Sequence, residues 1–203
     1  MQDIFTGKYE NCAWGNNENP QYKGSSGGGS EIGFNQNTYI PVLKKFINDN
    51  SIKTVVDLGC GDFVCGPLIY NDLDVLYTGY DAYNGVIQYN QSILSAPKYT
   101  FIHLDFFTKK EEIVDADLCI LKDVLQHWDL KSIYEFLDYI VEHKKFKYIL
   151  VSNCSFQRVD NTDIITGNIH HLNSNYFPLK KYGAVEIFRY STKQVSVIDV
   201  SRI

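Results

Sequence analysis

At 203 residues, with 44% apolar residues and a formal net charge of −5, the chain has enough apolar surface for one full core and no room for a second large domain. The acidic balance gives no general attraction to nucleic acid or to an anionic membrane, so a small or neutral substrate fits better. No run approaches the roughly 20 apolar residues of a membrane span, and the start Met1-Gln2-Asp3 has no basic or apolar signal region, so a cytoplasmic location is expected.

Residues 1 to 33 are rich in glycine and asparagine and end in Gly24-Ser25-Ser26-Gly27-Gly28-Gly29-Ser30, a composition typical of a flexible linker. Phe5, Tyr9, Trp14 and Tyr22 argue against that, because solvated linkers seldom carry so many aromatics. The expected division is a cap over 1–33 and a single domain over 34–203. From Asn35 to Asn48 the apolar residues Tyr39, Ile40, Leu43, Phe46 and Ile47 recur at helical spacing and predict a leading helix.

An alternation of strands and helices follows. Strands are expected near 53–57, 75–81, 99–104, 117–121 and 146–152, with helices near 64–71, 84–95 and 130–143. Two further strands, near 184–190 and 194–201, are separated only by Ser191-Thr192-Lys193, which predicts an antiparallel hairpin. The most informative stretch is Val55-Val56-Asp57-Leu58-Gly59-Cys60-Gly61-Asp62. An apolar strand there runs into a glycine turn that a ligand can approach closely. The run Val75 to Tyr80 then ends in Asp81, at about the spacing at which βαβ folds place a ribose-binding carboxylate. Gly59 and Gly61 are followed by Phe63 and only later by Gly66, which departs from the G-x-G-x-x-G of dinucleotide folds.

The pattern D-x-G-x-G after a strand, an acidic second strand end and Leu104-Asp105-Phe106 resembles the class I S-adenosylmethionine-dependent methyltransferases. The resemblance implies a Rossmann-like α/β fold with a seven-stranded, mostly parallel sheet of order 3-2-1-4-5-7-6, an antiparallel C-terminal hairpin and an N-terminal lid. It also implies that Asp57, Gly59 and Gly61 lie beside the amino-acid part of S-adenosyl-L-methionine, that Asp81 holds the ribose hydroxyls and that Asp105 and Phe106 flank the adenine. Phe63 replaces the family's third glycine. Tyr9-x4-Trp14-Gly15 followed by Ser26 to Ser30 is similar to the N-terminal segment of small methyltransferases of glycan and polysaccharide biosynthesis, which closes over cofactor and substrate. Tyr9 and Trp14 become cofactor-side candidates on that likeness.

Ligands of open α/β sheets lie beyond the carboxyl ends of the strands, and the fourth strand end is the richest. Asp117-Leu-Cys-Ile-Leu-Lys122-Asp123-Val-Leu-Gln-His127-Trp128 resembles the V-L-x-H motif of class I enzymes, with Lys122 on the cofactor side. A neutral imidazole accepts a proton at cellular pH, so His127 is a candidate base, with Asp123 orienting it from the same helical face or acting instead. Trp128 is a candidate wall for a sugar ring or a core residue. After the fifth strand, Asn153 and the loop Asp160 to Leu172 are candidates for the acceptor pocket. The loop resembles N-D-I-x-x-G-x-x-R-x-L, keeps Asn161, Asp163, Ile164, Gly167 and Leu172, carries His170 near the family's arginine, and leads to Phe177-Pro178.

Five cysteines, Cys12, Cys60, Cys65, Cys119 and Cys154, are an odd number and are expected to be reduced. No Cys/His set has zinc spacing, and no metal site is expected. Asp117, Asp123 and Asn153 offer oxygen atoms that could meet a hard cation. The function expected is S-adenosylmethionine-dependent O-methylation of a sugar, nucleotide-sugar or glycan, with no nucleic-acid or membrane partner and homo-oligomerisation left open. The alternatives are methylation of another small molecule or a protein side chain, or cofactor binding without catalysis.

Overall fold

The computed structural model describes residues 1–155 and 162–203. A seven-stranded sheet has the order β3-β2-β1-β4-β5-β7-β6, with β1 Thr54–Leu58, β2 Leu76–Asp81, β3 Tyr99–His103, β4 Ala116–Lys122, β5 Phe146–Cys154, β6 Val185–Tyr190 and β7 Lys193–Asp199. Within Met1–Phe106, β1 pairs β2 and β2 pairs β3, all parallel. Within Phe107–Ile203, β4 pairs β5 in parallel, β7 pairs β5 antiparallel, and β6 and β7 form the antiparallel hairpin.

The helices are α1 Gln2–Glu10, α2 Ile32–Asn35, α3 Tyr39–Asp49, α4 Gly66–Tyr70, α5 Asn84–Ile93 and α6 Leu130–Glu142. The helix expected over 35–48 is α3, which starts four residues later at Tyr39, and a separate short helix, α2, ends at Asn35. Asn35 turns its amide onto the carbonyls of Gly29 and Glu31, and Thr38 bonds Phe34 O at 2.7 Å. Such short polar side chains compete for the backbone and interrupt a helix. The helix expected from 64 starts two residues later, because Phe63 takes a left-handed φ of 55°. Its ring drops into the core against Tyr77, with centroids 4.6 Å apart, and Phe101 at 5.1 Å. A Cβ on Gly66 would meet that ring at 2.1 Å, so glycine is required beneath it.

α6 shows how the second unit holds together. Ile133, Phe136, Leu137 and Ile140 recur at i, i+3, i+4 and i+7 and are fully buried, each contributing about 1.5–3 kcal/mol of apolar transfer. Asp129 caps the helix by accepting Ser132 N–H at 2.9 Å. β4 is buried on both faces from Leu118 to Leu121, as an internal parallel strand requires. All five cysteines are free. Among the described residues no helix is long and apolar enough to cross a membrane.

Candidate functional site

In the first unit, the turn after β1 supplies Gly59 and Gly61, both left-handed at φ 82° and 56°. Gly61 is held from two sides: its N–H donates to Asp81 Oδ2 at 3.0 Å, and its carbonyl accepts from the buried Asn90 amide at 2.8 Å. A Cβ there would meet Ser26 Oγ at 2.4 Å. Asp81 ends β2, is 6% exposed, and accepts a second bond from Tyr83 N–H at 2.9 Å. Burial pushes its carboxyl up to about 6, against the N–H groups of Tyr83, Gly61 and Ala82, which favour the charged form. A carboxylate offers about four acceptor directions, and these three N–H groups leave it capacity for a further donor. Asp57 accepts from Tyr77 OH at 2.9 Å. Asp105 accepts from Gln2 N–H at 3.0 Å, and Phe106 is buried beside it in sequence.

Residues 1–33 are laid onto this turn. Ser26 N–H donates to Asp62 Oδ2 at 3.4 Å, while Asp62 N–H donates to Ser26 Oγ at 2.9 Å. Tyr9 OH lies 3.0 Å from the same hydroxyl. The Tyr9 ring stacks on Tyr83 at 4.6 Å and takes the edge of Trp14 at 5.4 Å. Gly24 carries φ 67° where a Cβ would strike Tyr9 O at 2.4 Å. Tyr83 and Asn90 escaped the sequence reading, since neither lies in a motif and each holds the turn through backbone atoms; Ser26 and Asp62 lay inside the quoted stretches but were given no role of their own.

In the second unit, the expected helical face shared by Asp123 and His127 does not exist. β4 ends at Lys122, Asp123 turns the chain with φ 61°, and a short 3₁₀ turn covers Leu125–His127. Asp123 lies between two lysines: Lys122 Nζ at 3.1 Å and the ammonium of Lys193. Burial alone would raise its carboxyl, but these two charges hold it below the usual range. Lys193 is disfavoured as a cation by burial, yet Asp123 outweighs this and raises it above the ordinary lysine value. Its Nζ also reaches Cys154 Sγ at 3.2 Å. Lys193 was assigned to the hairpin turn; it is the first residue of β7 and pairs with Cys154.

His127 is positioned by the loop that follows β5. Its Nδ1 lies 2.9 Å from Asn168 O, and its carbonyl accepts Gly167 N–H at 2.8 Å. Gln126 places its Nε2 3.3 Å from His127 Nε2. Thr166 Oγ1 donates to Asp129 and accepts Asp129 N–H at 3.0 Å. Asp163 accepts Leu130 N–H and Ile164 N–H, both at 2.8 Å, so this candidate acceptor residue is a cap at the start of α6. Trp128 is 1% exposed and makes T-shaped contacts with Phe107 at 5.4 Å and Phe136 at 5.2 Å; it is a core residue in this structure and not a sugar wall, because so little of the ring is left exposed. His170 is buried, with Nδ1 2.9 Å from Thr162 O. Asn153 is 1% exposed, and neither atom of its carboxamide has a hydrogen-bond partner among the described residues. Asn161 lies outside the described residues. Among those described, no three His, Cys, Asp or Glu side chains are grouped to hold a metal ion.

No family model matches the chain, and no curated protein matches it. Solved structures do. The methyltransferase domain of bacterial CtHen1-CN superposes with a TM-score of 0.63 at 17% identity, over 82% of this chain and 99% of that domain. Human N-acetylserotonin methyltransferase in complex with SAM gives 0.59 at 18%, over 78% of this chain and 50% of that one, so this chain spans about half its length. Magnesium protoporphyrin IX methyltransferase from Synechocystis PCC 6803 with bound SAH gives 0.54 at 15%, over 77% and 78%. At such identities the likeness is one of fold, and the strand order, the terminal hairpin and these neighbours together establish a Rossmann-like methyltransferase fold.

Proposed function

We propose that the chain is an S-adenosylmethionine-dependent O-methyltransferase acting on a hydroxyl of a small molecule, with sugars and nucleotide-sugars as the acceptors to try first. The observation that carries the reading is the buried Asp81 carboxylate under the left-handed glycine turn: it is a charge kept at a cost, and two neighbouring ribose hydroxyls would offset that cost. When bound, S-adenosylmethionine supplies an electrophilic methyl group. Asp57 and the turn at Gly59 and Gly61 bind its amino-acid portion, Asp81 its ribose, and Asp105 and Phe106 border the adenine; Lys122 is the cofactor-side candidate of the second unit.

Residues 1–33 act as a lid through Tyr9, Trp14 and Ser26, closed over the turn by the Ser26–Asp62 pair of bonds. His127 takes the acceptor hydroxyl proton at Nε2. Asp123 is the weaker base, since protonating it would break two lysine contacts. Asn153 and His170 are the acceptor-side candidates, because each buries a polar atom without a partner among the described residues.

Two measurements test this. Calorimetry with S-adenosylhomocysteine should show one site per chain, and absence of binding to folded protein would refute the cofactor reading. Incubation with methyl-labelled S-adenosylmethionine and a panel of free sugars, nucleotide-sugars, phenols and carboxylic acids should label an oxygen-bearing acceptor. Labelling of phenols alone would move the acceptor away from sugars.

A further inference from the structure

The side chains of Gln126 and His127 fix one another's orientation. Gln126 is 3% exposed. Its Oε1 accepts Cys154 N–H at 2.7 Å. A backbone N–H can only donate, so the amide oxygen must face Cys154 and the NH₂ must face away. That NH₂ lies 3.3 Å from His127 Nε2. Across the ring, Nδ1 is 2.9 Å from Asn168 O, and a carbonyl can only accept, so Nδ1 carries the hydrogen. In the neutral ring Nε2 therefore holds a lone pair that receives the Gln126 NH₂. Protonating Nε2 would set N–H against N–H.

The backbone locks the same arrangement. Gln126 O accepts His170 N–H at 3.0 Å, and Leu172 N–H reaches Cys154 O at 2.9 Å. Among the described residues, the titratable and charged groups on the surrounding segments are Lys122, Asp123 and Asp129 on its own stretch, Asp163, His170 and His171 on the loop, Cys154 on β5 and Lys193 on β7. The three carboxylates are committed: Asp123 to two lysines, Asp129 to Thr166 and Ser132, Asp163 to two backbone N–H groups.

We propose that Gln126 is a positioning residue for methyl transfer: it sets the tautomer of His127 and disfavours imidazolium, so that Nε2 is ready to take a proton. This rests on the reading of His127 as the base. The Gln126–Nε2 contact is long for a hydrogen bond, so an incoming hydroxyl can replace it at little cost.

The test is a ¹⁵N imidazole titration of the full chain without cofactor, with a His127→Gln variant to assign the signal. The ring should be protonated at Nδ1 and bare at Nε2 in the wild type. Gln126→Glu keeps an oxygen for Cys154 N–H but turns a carboxylate oxygen to Nε2, so imidazolium should persist to a pH at least one unit higher. The alkaline rise of kcat should move by the same amount, with KM unchanged. Gln126→Met removes the opposing donor without adding charge and should move the midpoint in the same direction by less. An Nε2–H tautomer in the wild type, or an unmoved midpoint in folded Gln126→Glu, would overturn the proposal; the wild-type tautomer decides even where the variants fail to fold. Ring behaviour as expected with no transfer to any acceptor would instead overturn the base reading, and the role of Gln126 in transfer with it.

Discussion

The glycine turn of the first unit and the His127 turn of the second solve the same problem, presenting a polar group at a strand end, by different means. At Gly61 the backbone does the positioning: a left-handed residue is pinned by Asp81 and Asn90 and leaves a carboxylate buried at a cost. At His127 the chain is held by side chains and by a loop more than 35 residues further on, through Asn168, Thr166 and Gly167. The first arrangement stores unfavourable electrostatic energy and suits ligand binding. The second satisfies its polar groups internally and suits orientation of a reactive atom.

The comparison breaks most sharply at His127. His127→Ala should lower turnover by about 10²- to 10⁴-fold, the range for a positioned proton acceptor, while S-adenosylhomocysteine affinity by calorimetry stays within about twofold. A matching loss of affinity would mean that the second turn binds cofactor after all. Next in size is Lys193→Met, which leaves Asp123 with Lys122 as its remaining lysine partner. Removing one of the two cations that hold a buried carboxylate is destabilising, though less than unpairing it outright, so urea denaturation should show a loss of about 2–4 kcal/mol. Because lysine contacts hold the Asp123 carboxyl low, the stability it contributes is present above the carboxyl's unfolded value and is lost as pH falls through its folded one. The Lys193→Met deficit should therefore shrink in acid.

Asp81 should respond with the opposite sign in stability. A carboxyl raised to about 6 in the fold favours folding below its unfolded value and loses that contribution as pH rises through about 6, so at pH 7 it costs roughly 2–3 kcal/mol. Asp81→Asn gives up one N–H acceptor, worth about 1 kcal/mol, and should leave the cofactor-free protein about 1–2 kcal/mol more stable at pH 7. The same change should weaken S-adenosylhomocysteine by about 1.5–3 kcal/mol through loss of charge-assisted hydrogen bonds. Wild-type affinity should fall as pH drops through about 6. A variant that is both less stable and unchanged in binding would remove Asp81 from the ribose role.

What was legible in the sequence follows the same division. The strands, the hairpin and the glycine turn were readable because they rest on local chemistry: β-branched runs, Asp-x-Gly-x-Gly, and a three-residue connection; the strand order was implied by the resemblance to class I methyltransferases and not by any local pattern. Lys193 was not readable, since one residue of register decides whether it belongs to a turn or to β7, and the partner that settles it, Cys154, is 39 positions away. Trp128 was readable as either a sugar wall or a core residue; the choice depends on its packing with Phe107 and Phe136, which no pattern links to it. Asp163 matched a motif yet bonds the first N–H of α6 from the loop after β5, because a carboxylate brought near a helix start by the fold accepts an N–H that has no partner within the helix. The composition of 1–33 suggested a linker, whereas Tyr9 packs against Trp14 and Tyr83 in the fold.

The smallest effect expected is also the one that ties the N-terminal segment to the turn. Ser26 Oγ accepts Asp62 N–H and meets Tyr9 OH, so Ser26→Ala removes two neutral hydrogen bonds and leaves both partners beside a methyl group. The net loss should be about 1 kcal/mol, since the stacked pair Tyr9–Tyr83 and the backbone bond from Ser26 to Asp62 persist. If 1–33 is a lid, that loss is felt as opening: limited proteolysis within 10–30 should speed up about fivefold, and cofactor should suppress most of the increase, because a bound ligand and a closed segment stabilise one another. Global stability should hardly change. Faster cleavage that cofactor does not slow would describe a covering strap that binds the turn and takes no part in holding the ligand.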